Sequence, residues 1–332
     1  MSEMPSHPGN DMNAKTPSLR ICFLDGDLAS SKKHSNIRIL PNAASNLGWQ
    51  VTTGCLDSLY LEDGQVRLLS TPVRTTVPAS VRNAAEFDVI WVLGLGNKDR
   101  FHDTLQLLHL ATHSCRVINN PHALAFWHGK YLQTECGCRS PLKTPSSLAS
   151  RDPAWLWSNI KARGGPWVFK PPAGSKGVNV QLHQVADNKA RAALEQLTAG
   201  GSRYCLVQEF IPAIRNGEKR VLLAGGQIVG QYLRRPAPGD FRTNIAQGAC
   251  ASACDLKPEE QAAMTQLAAW LVEQGIIFAG VDLCWPYLME INLVNPGGLG
   301  TLQTLDGKSR GADVLRKVAT WVTEKAPSRS PR

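Results

Sequence analysis

"GVDLCWPYLMEINLVNPGG", residues 280–298, sets two carboxylates and an amide into an otherwise apolar, strand-like run. Glu290 and Asn292 are two residues apart, so on a strand their side chains leave from the same face. Asp282 joins that face if "VDLC" and "LMEIN" form a hairpin. A turn of odd length centred on Pro286 would set Asp282 directly opposite Glu290. A turn of even length, without a bulge, would send the two acids to opposite faces. Facing like charges repel unless a cation sits between them. Two carboxylates and an amide oxygen are hard ligands of the kind Mg²⁺ takes, with phosphate oxygens and water completing the octahedron. A hairpin whose acids simply lie exposed fits the same residues, and this stretch alone leaves both readings open.

The flanking segments read as sheet and helix. "PEEQAAMTQLAAWLVEQG" (258–275) is a long amphipathic helix entered by proline and ended by glycine. "RYCLVQEFIPA" (203–213) and "KRVLLAGGQIVGQYLRR" (219–235) are strands, and "SRGADVLRKVATWVTEK" (309–325) is a surface helix. Further back, "PWVFKPPAGSKGVNVQLH" (166–183) is strand, glycine-bearing loop and strand. "NKARAALEQLTAGG" (188–201) is a helix closed by glycines, and "PHALAFWHGKYLQTEC" (121–136) a helix holding Lys130. Over residues 18–121 strands alternate with helices. Apart from Asp88, "FDVIWVLGLG" (87–96) is apolar, as in a parallel strand buried on both faces. "NIRILPNAASNLGWQVTTGC" (36–55) reads as a helix leading into a strand, with Pro41 awkward for the helix. The alternation predicts an open α/β sheet with its working loops at the strand ends.

At 332 residues and 43% hydrophobic composition the chain can bury a sizeable core in two or three domains. No apolar run approaches the roughly 18 residues of a membrane span. The polar, proline-bearing first residues lack an apolar signal segment and read as a disordered leader, and "KAPSRSPR" (325–332) reads as a basic tail. A cytoplasmic setting is expected. Nine scattered cysteines fit it without disulfides, and Cys136 and Cys138 in "ECGC" lack the second ligand pair of a zinc site. The net charge of +9 permits nucleic acid, but the basic residues are spread along the chain without interleaved aromatics. Small polyanions such as ATP suit the charge equally well.

Two further stretches carry candidate chemistry. In "FKPPAGSKGVNV" (169–180), Gly174 and Gly177 make a supple turn flanked by Lys170 and Lys176. Backbone N–H groups of such a turn can cradle phosphate, although ordinary hairpin turns share the pattern. "RRPAPGDFRTNIAQGACASACD" (234–255) is long, polar and unstructured, as in a lid or binding loop. Its Arg234, Arg235, Arg242 and Asn244 are donors for an anionic intermediate, or members of a solvated basic loop.

Together these features resemble an ATP-grasp ligase of the prokaryotic glutathione synthetase type. The resemblance is closest over residues 203–292, in "RYCLVQEFIPAIRNGEKRVLL", "RTNIAQG" and "GIIFAGVDL…MEIN", and reaches back through "VFKPPAGSKGV" and "INNPHAL…GKYL" to "SLYLEDGQVR". It implies an α+β ATP-grasp module of two subdomains behind an N-terminal open parallel-sheet domain. The implied division is a leader at 1–17, a substrate domain at 18–121, a small lid subdomain at 122–204, a C-terminal subdomain with the magnesium site at 205–324, and a tail at 325–332. Lys130 and Lys170 match the family's two ATP-contacting lysines, and Gly174, Lys176 and Gly177 its phosphate-covering loop. Gln208, Glu209, Phe210 and Ile211 fall at the adenine-binding hinge, and Glu218 at the ribose-binding acid. Asp282, Glu290 and Asn292 match magnesium ligands, with two Mg²⁺ expected and Mn²⁺ an acceptable substitute. Arg220, Arg235 and Arg242, with Asn244, match the catalytic groups near the reacting carboxylate or on the lid. The implied chemistry is amide formation through an acyl phosphate; in this family the acid is γ-glutamylcysteine and the amine glycine.

The chain departs from the family where substrate is concerned. The family's Arg-Lys-Asp-Pro-Pro becomes "NKDRFHD", keeping Lys98 and Asp99 but with Asn97 for the arginine. A Ser/Thr-Pro-Thr turn becomes Asn295-Pro296-Gly297-Gly298, and the lid ends in "GACASAC" without its usual arginine. Asp25, Lys98, Asp99, Asn295, Gly297 and Gly298 are therefore the candidate substrate residues. A relative joining a different acid and amino acid is the alternative, and a non-catalytic nucleotide-binding regulator the second. Small-molecule substrates are the expected partners, without nucleic acid or membrane, and a homo-oligomer stays open.

Overall fold

The computed structural model describes residues 18–26, 36–136, 141–172, 174, 177–185 and 187–324. An N-terminal α/β unit contains β1 (Arg20–Asp25), α1 (Asn36–Asn46), β2 (Gln50–Cys55), β3 (Tyr60–Glu62), β4 (Gln65–Pro72), β5 (Ser80–Asn83), β6 (Val89–Val92), α2 (Phe101–Ala111) and β7 (Arg116–Ile118). Its sheet runs β3-β4-β2-β1-β6-β7, with β5 on β4. β2, β1, β6 and β7 are parallel neighbours, as the apolar strands predict. β3, β4 and β5 add an antiparallel extension that the alternating pattern did not announce. Pro41 lies inside α1 and is buried, tolerated where tertiary packing holds the helix.

Next come α3 (Pro121–Trp127), α4 (Leu132–Cys136), β8 (Ser147–Ser150), α5 (Pro153–Arg163), β9 (Pro166–Lys170), β10 (Gln181–Gln184), α6 (Asn188–Thr198) and β11 (Cys205–Glu209). The four strands form an antiparallel sheet in the order β10-β9-β11-β8. Residues 205–209 thus pair within this second sheet rather than opening the third. The last unit holds β12 (Glu218–Ala224), β13 (Gln227–Arg235), β14 (Cys250–Ser252), α7 (Pro258–Glu273), β15 (Phe278–Cys284), β16 (Tyr287–Asn292), α8 (Leu299–Asp306) and α9 (Gly311–Glu324). Its five strands are antiparallel, ordered β14-β13-β12-β15-β16.

Burial shows how the three sheets relate. One apolar core joins Leu24, Ile90 and Val92 of the first sheet to Val221 and Val281 of the third. Another joins Phe23 and Trp91 to Leu222 and Phe278. The second sheet keeps its own core of Phe169 and Val207 under Leu156, Ile160 and Leu194. Asn119, just after β7, fastens the first joint: its Oδ1 accepts from the Ile277 and Phe278 amides (2.7 and 2.9 Å). Its Nδ2 donates to the Phe278 and Leu293 carbonyls (2.7 and 2.6 Å), so the buried amide is fully used. No helix among the described residues is long and apolar enough to cross a membrane. Cys136 is buried at the end of α4, and Cys138 lies outside the described residues.

Candidate active site

The opening stretch does form a hairpin, but by the even route. Cys284 pairs with Tyr287 across the two-residue turn Trp285–Pro286, whose peptide bond is cis. A bulge then makes Met289 the extra residue: Leu283 faces Leu288, and Asp282 faces Glu290. The bulge restores the shared face that an even turn would have abolished. Asn292 stands on it opposite Gly280. Strand alternation extends the face across the sheet, with Arg220 opposite Asp282 and Glu218 opposite Arg234.

These groups form one buried charge network. Arg220 Nε and Arg234 Nη2 each lie 2.7 Å from Asp282 Oδ1. Arg234 also contacts Glu218, which accepts from the Thr243 hydroxyl of the loop between β13 and β14. Burial pushes the Glu218 carboxyl up from its ordinary range, against the pull of Arg234. Gly280 makes room for the arginine, because a methyl group there would lie 2.7 Å from Arg220 Nη1.

The segment between α3 and α4 and strand β9 of the second sheet bring the opposing charges. Lys130 Nζ is 2.8 Å from Glu290 Oε1 and donates to the Gly174 carbonyl at 3.0 Å. Burial works against a charge on Glu290, yet Lys130 and Lys170 hold its carboxyl below the usual range. Lys170 donates to Gln208 Oε1 (2.7 Å), and burial lowers its ammonium to about 8. Between the second and third sheets lies an open cleft lined by both apolar and charged side chains. Phe210, Ile211, Val168 and Met289 supply apolar wall, while Glu209, Gly177, Arg242 and Asn244 also line it. Lys176 lies outside the described residues.

Two expected groupings change on inspection. Arg235 faces away from the cleft and donates to Ser252 Oγ at 3.0 Å, because neighbouring strand residues alternate faces. Arg234 takes the buried place instead. Asn244 lines the cleft but accepts from the Ala246 amide (2.9 Å), capping a short turn of helix.

A family model described as prokaryotic glutathione synthetase, ATP-grasp domain, matches residues 140–307. A glutathione synthetase of Pseudomonas syringae pv. tomato is 30% identical over 296 residues, covering 85% of this chain and 90% of that protein. The chain belongs to the prokaryotic glutathione synthetase family. A glutathione synthetase of Nostoc sp. is 29% identical over 206 residues, spanning 62% of this chain and 61% of that relative. D-cycloserine synthetase DcsG has a similar fold, with a TM-score of 0.64 at 17% identity over 90% of this chain and 99% of that one. Membership makes this chain an ATP-grasp carbon–nitrogen ligase, of a family that generally uses ATP with Mg²⁺.

The residues present fit a magnesium ion of this glutathione synthetase family. Among the described residues no three or more His, Cys, Asp or Glu side chains form a metal cage, so substrate oxygens and water must complete any sphere. Asp282 Oδ1 is buried and accepts no well-aligned hydrogen bond despite its two guanidinium neighbours. Asn292 directs its amide nitrogen at the Gly280 carbonyl (3.5 Å), leaving the amide oxygen for a ligand. These oxygens and Glu290 share one face of the β15–β16 hairpin.

The substrate candidates gather less tightly. Asp25 ends β1 and accepts from the Gly26 amide at 2.8 Å. Lys98 and Asp99 sit exposed in a short turn capped by Asn97. Asn295 Oδ1 accepts from Asn36 Nδ2 (2.8 Å), which also donates to the Pro296 carbonyl (2.9 Å). Gly298 holds φ at 145°, and a methyl group there would press on Tyr232 and Leu222 at 3.2 Å, whereas Gly297 borders open space.

Proposed function

We propose that the chain joins γ-glutamylcysteine to glycine, with ATP converted to ADP and phosphate. The carrying observation is the convergence of Asp282, Glu290 and Asn292 with Lys130, Lys170 and Arg220 on one cleft. The substrate carboxylate attacks the γ-phosphorus, ADP leaves, and the amine then displaces phosphate from the acyl phosphate to form the amide. Lys130, Lys170, Gly174, Lys176 and Gly177 hold the phosphates. Gln208, Glu209, Phe210 and Ile211 receive adenine and Glu218 the ribose. Arg220, with Arg234 behind it, faces the developing negative charge, and Arg242 and Asn244 cover it. Asp282, Glu290 and Asn292 would hold Mg²⁺, two ions with Mn²⁺ able to substitute, which when bound offsets phosphate charge. Excluding water from the cleft protects the acyl phosphate from hydrolysis. We assign the reaction to the cytoplasm, where its ATP is supplied.

A second reading, the same ligation with a different acid or amine, is favoured by Asn97 and by Asn295, whose side-chain oxygen is already engaged by Asn36. Asp25, Lys98, Asp99, Gly297 and Gly298 would then select the altered partner. The deciding experiment is ADP release with γ-glutamylcysteine and other short acids against a panel of amino acids, products identified by mass. Turnover with γ-glutamylcysteine and glycine establishes the first reading. Turnover only with another pair establishes the second, and silence throughout rejects both.

A further inference from the structure

Arg242 lies in the cleft-covering loop between β13 and β14, and its neighbours on either side are anchored. The Phe241 ring meets Phe210 edge-on, with centroids 6.0 Å apart. Thr243 donates to Glu218. Arg242 itself reaches the glycine turn of the second sheet, where a methyl group on Gly177 would sit 3.6 Å from Arg242 Cδ. What aims the guanidinium is Asp240. Its Oδ1 accepts from the Phe241 and Arg242 amides (2.7 and 2.9 Å), closing a local turn. The same carboxylate takes one edge of the guanidinium: Nε donates to both oxygens at 3.1 Å and Nη2 to Oδ2 at 2.8 Å. The Nη1 edge carries none of these bonds and is left for an anion.

We propose that Asp240 is a positioning residue, fixing Arg242 so that its remaining edge meets phosphate beside Gly177; this rests on the ligase reading above. Such a clamp has two opposite effects. It removes the rotamer freedom of a long side chain, so the donor is in place when charge develops. It also cancels much of the arginine's charge and weakens the plain attraction for phosphate. The Arg242 guanidinium holds the Asp240 carboxyl down at about 2, so the clamp stays ionised at any ordinary assay pH.

The test is Asp240→Asn, whose amide oxygen can still close the backbone turn but lacks the charge and second oxygen of the clamp. The expected result is a kcat lowered about tenfold with a KM for ATP unchanged or lower, the loss of a charge-assisted bond in the transition state. In a second arm, AMP-PNP slows tryptic cleavage after Arg242 in the unsubstituted chain and ceases to do so in Asp240→Asn. A kcat within twofold of the unsubstituted chain, or kcat and ATP affinity falling together, overturns the proposal, since the residue then only shapes the loop. If the unsubstituted chain releases no ADP with any substrate pair, the ligase reading fails and the AMP-PNP arm alone decides on Asp240.

Discussion

Lys170 carries the sharpest conflict between stability and function at the scale of one residue. Its ammonium is buried and lowered to about 8 from 10.5, a cost of about 3 kcal/mol to the folded chain at neutral pH. The unfolded chain binds more protons between those two values, so this group makes stability rise with pH from about 8 to 10.5 and gives a constant deficit below. Lys170→Met is therefore expected to stabilise the nucleotide-free protein by about 1–3 kcal/mol, less whatever Gln208 loses as its partner. Nucleotide affinity falls at least about tenfold in the same variant, read by calorimetry beside urea unfolding. In the unsubstituted chain, bound phosphate draws the proton back, so ATP affinity declines above about pH 8 with proton uptake. A pH-independent affinity from 7 to 9.5 would contradict this. Glu290→Gln tests the metal face: the amide oxygen can still accept from Lys130, so the melting temperature changes little. Turnover should fall at least about a hundredfold, because a charged ligand is lost. Near-normal turnover would remove Glu290 from the metal set.

Within single elements, periodicity was readable and register was not. The spacing of Glu290 and Asn292 announced a common strand face, and the apolar run at 87–96 announced a buried parallel strand. The bulge at Met289, which brings Asp282 to that face, has no mark in the sequence because it balances a two-residue turn against strand pairing. The same limit governs Arg234 and Arg235: a register shift at Leu222–Leu223 decides which of two adjacent arginines points inward. Nothing in the sequence marks Asn119, since the three residues it bonds lie 158 to 174 positions away. Asn119→Ala leaves two backbone donors and two carbonyls unpaired in a buried joint. A loss of about 3–5 kcal/mol is expected, seen as a lower urea midpoint with an unchanged slope. A loss below about 1 kcal/mol would show that water or a shifted backbone replaces the amide.

Across the whole molecule, the burial pattern separates two bodies that the linear order of strands conceals. The first and third sheets share two apolar cores, whereas the four-stranded sheet closes its own core with α5 and α6. Phe210, Ile211, Ile214 and Cys284 form a small apolar cluster at the joint between them, with Val168, Tyr287 and Met289 packed on it. The cleft's charges are split across that joint, Lys170 on one side and Asp282, Glu290 and Arg220 on the other. Nucleotide touching both sides adds its binding energy to the joint, where the apolar contact is small. The four-stranded unit should therefore unfold at a lower temperature than the rest in the nucleotide-free protein, giving two calorimetric transitions. AMP-PNP with Mg²⁺ at a hundredfold excess over its Kd adds about 2.7 kcal/mol to the state that holds both halves of the cleft. The lower transition should then move up and merge with the upper one. A single transition without nucleotide would mean that the small apolar joint already couples the bodies fully. Two transitions that stay apart at saturating AMP-PNP would place the nucleotide on one body alone.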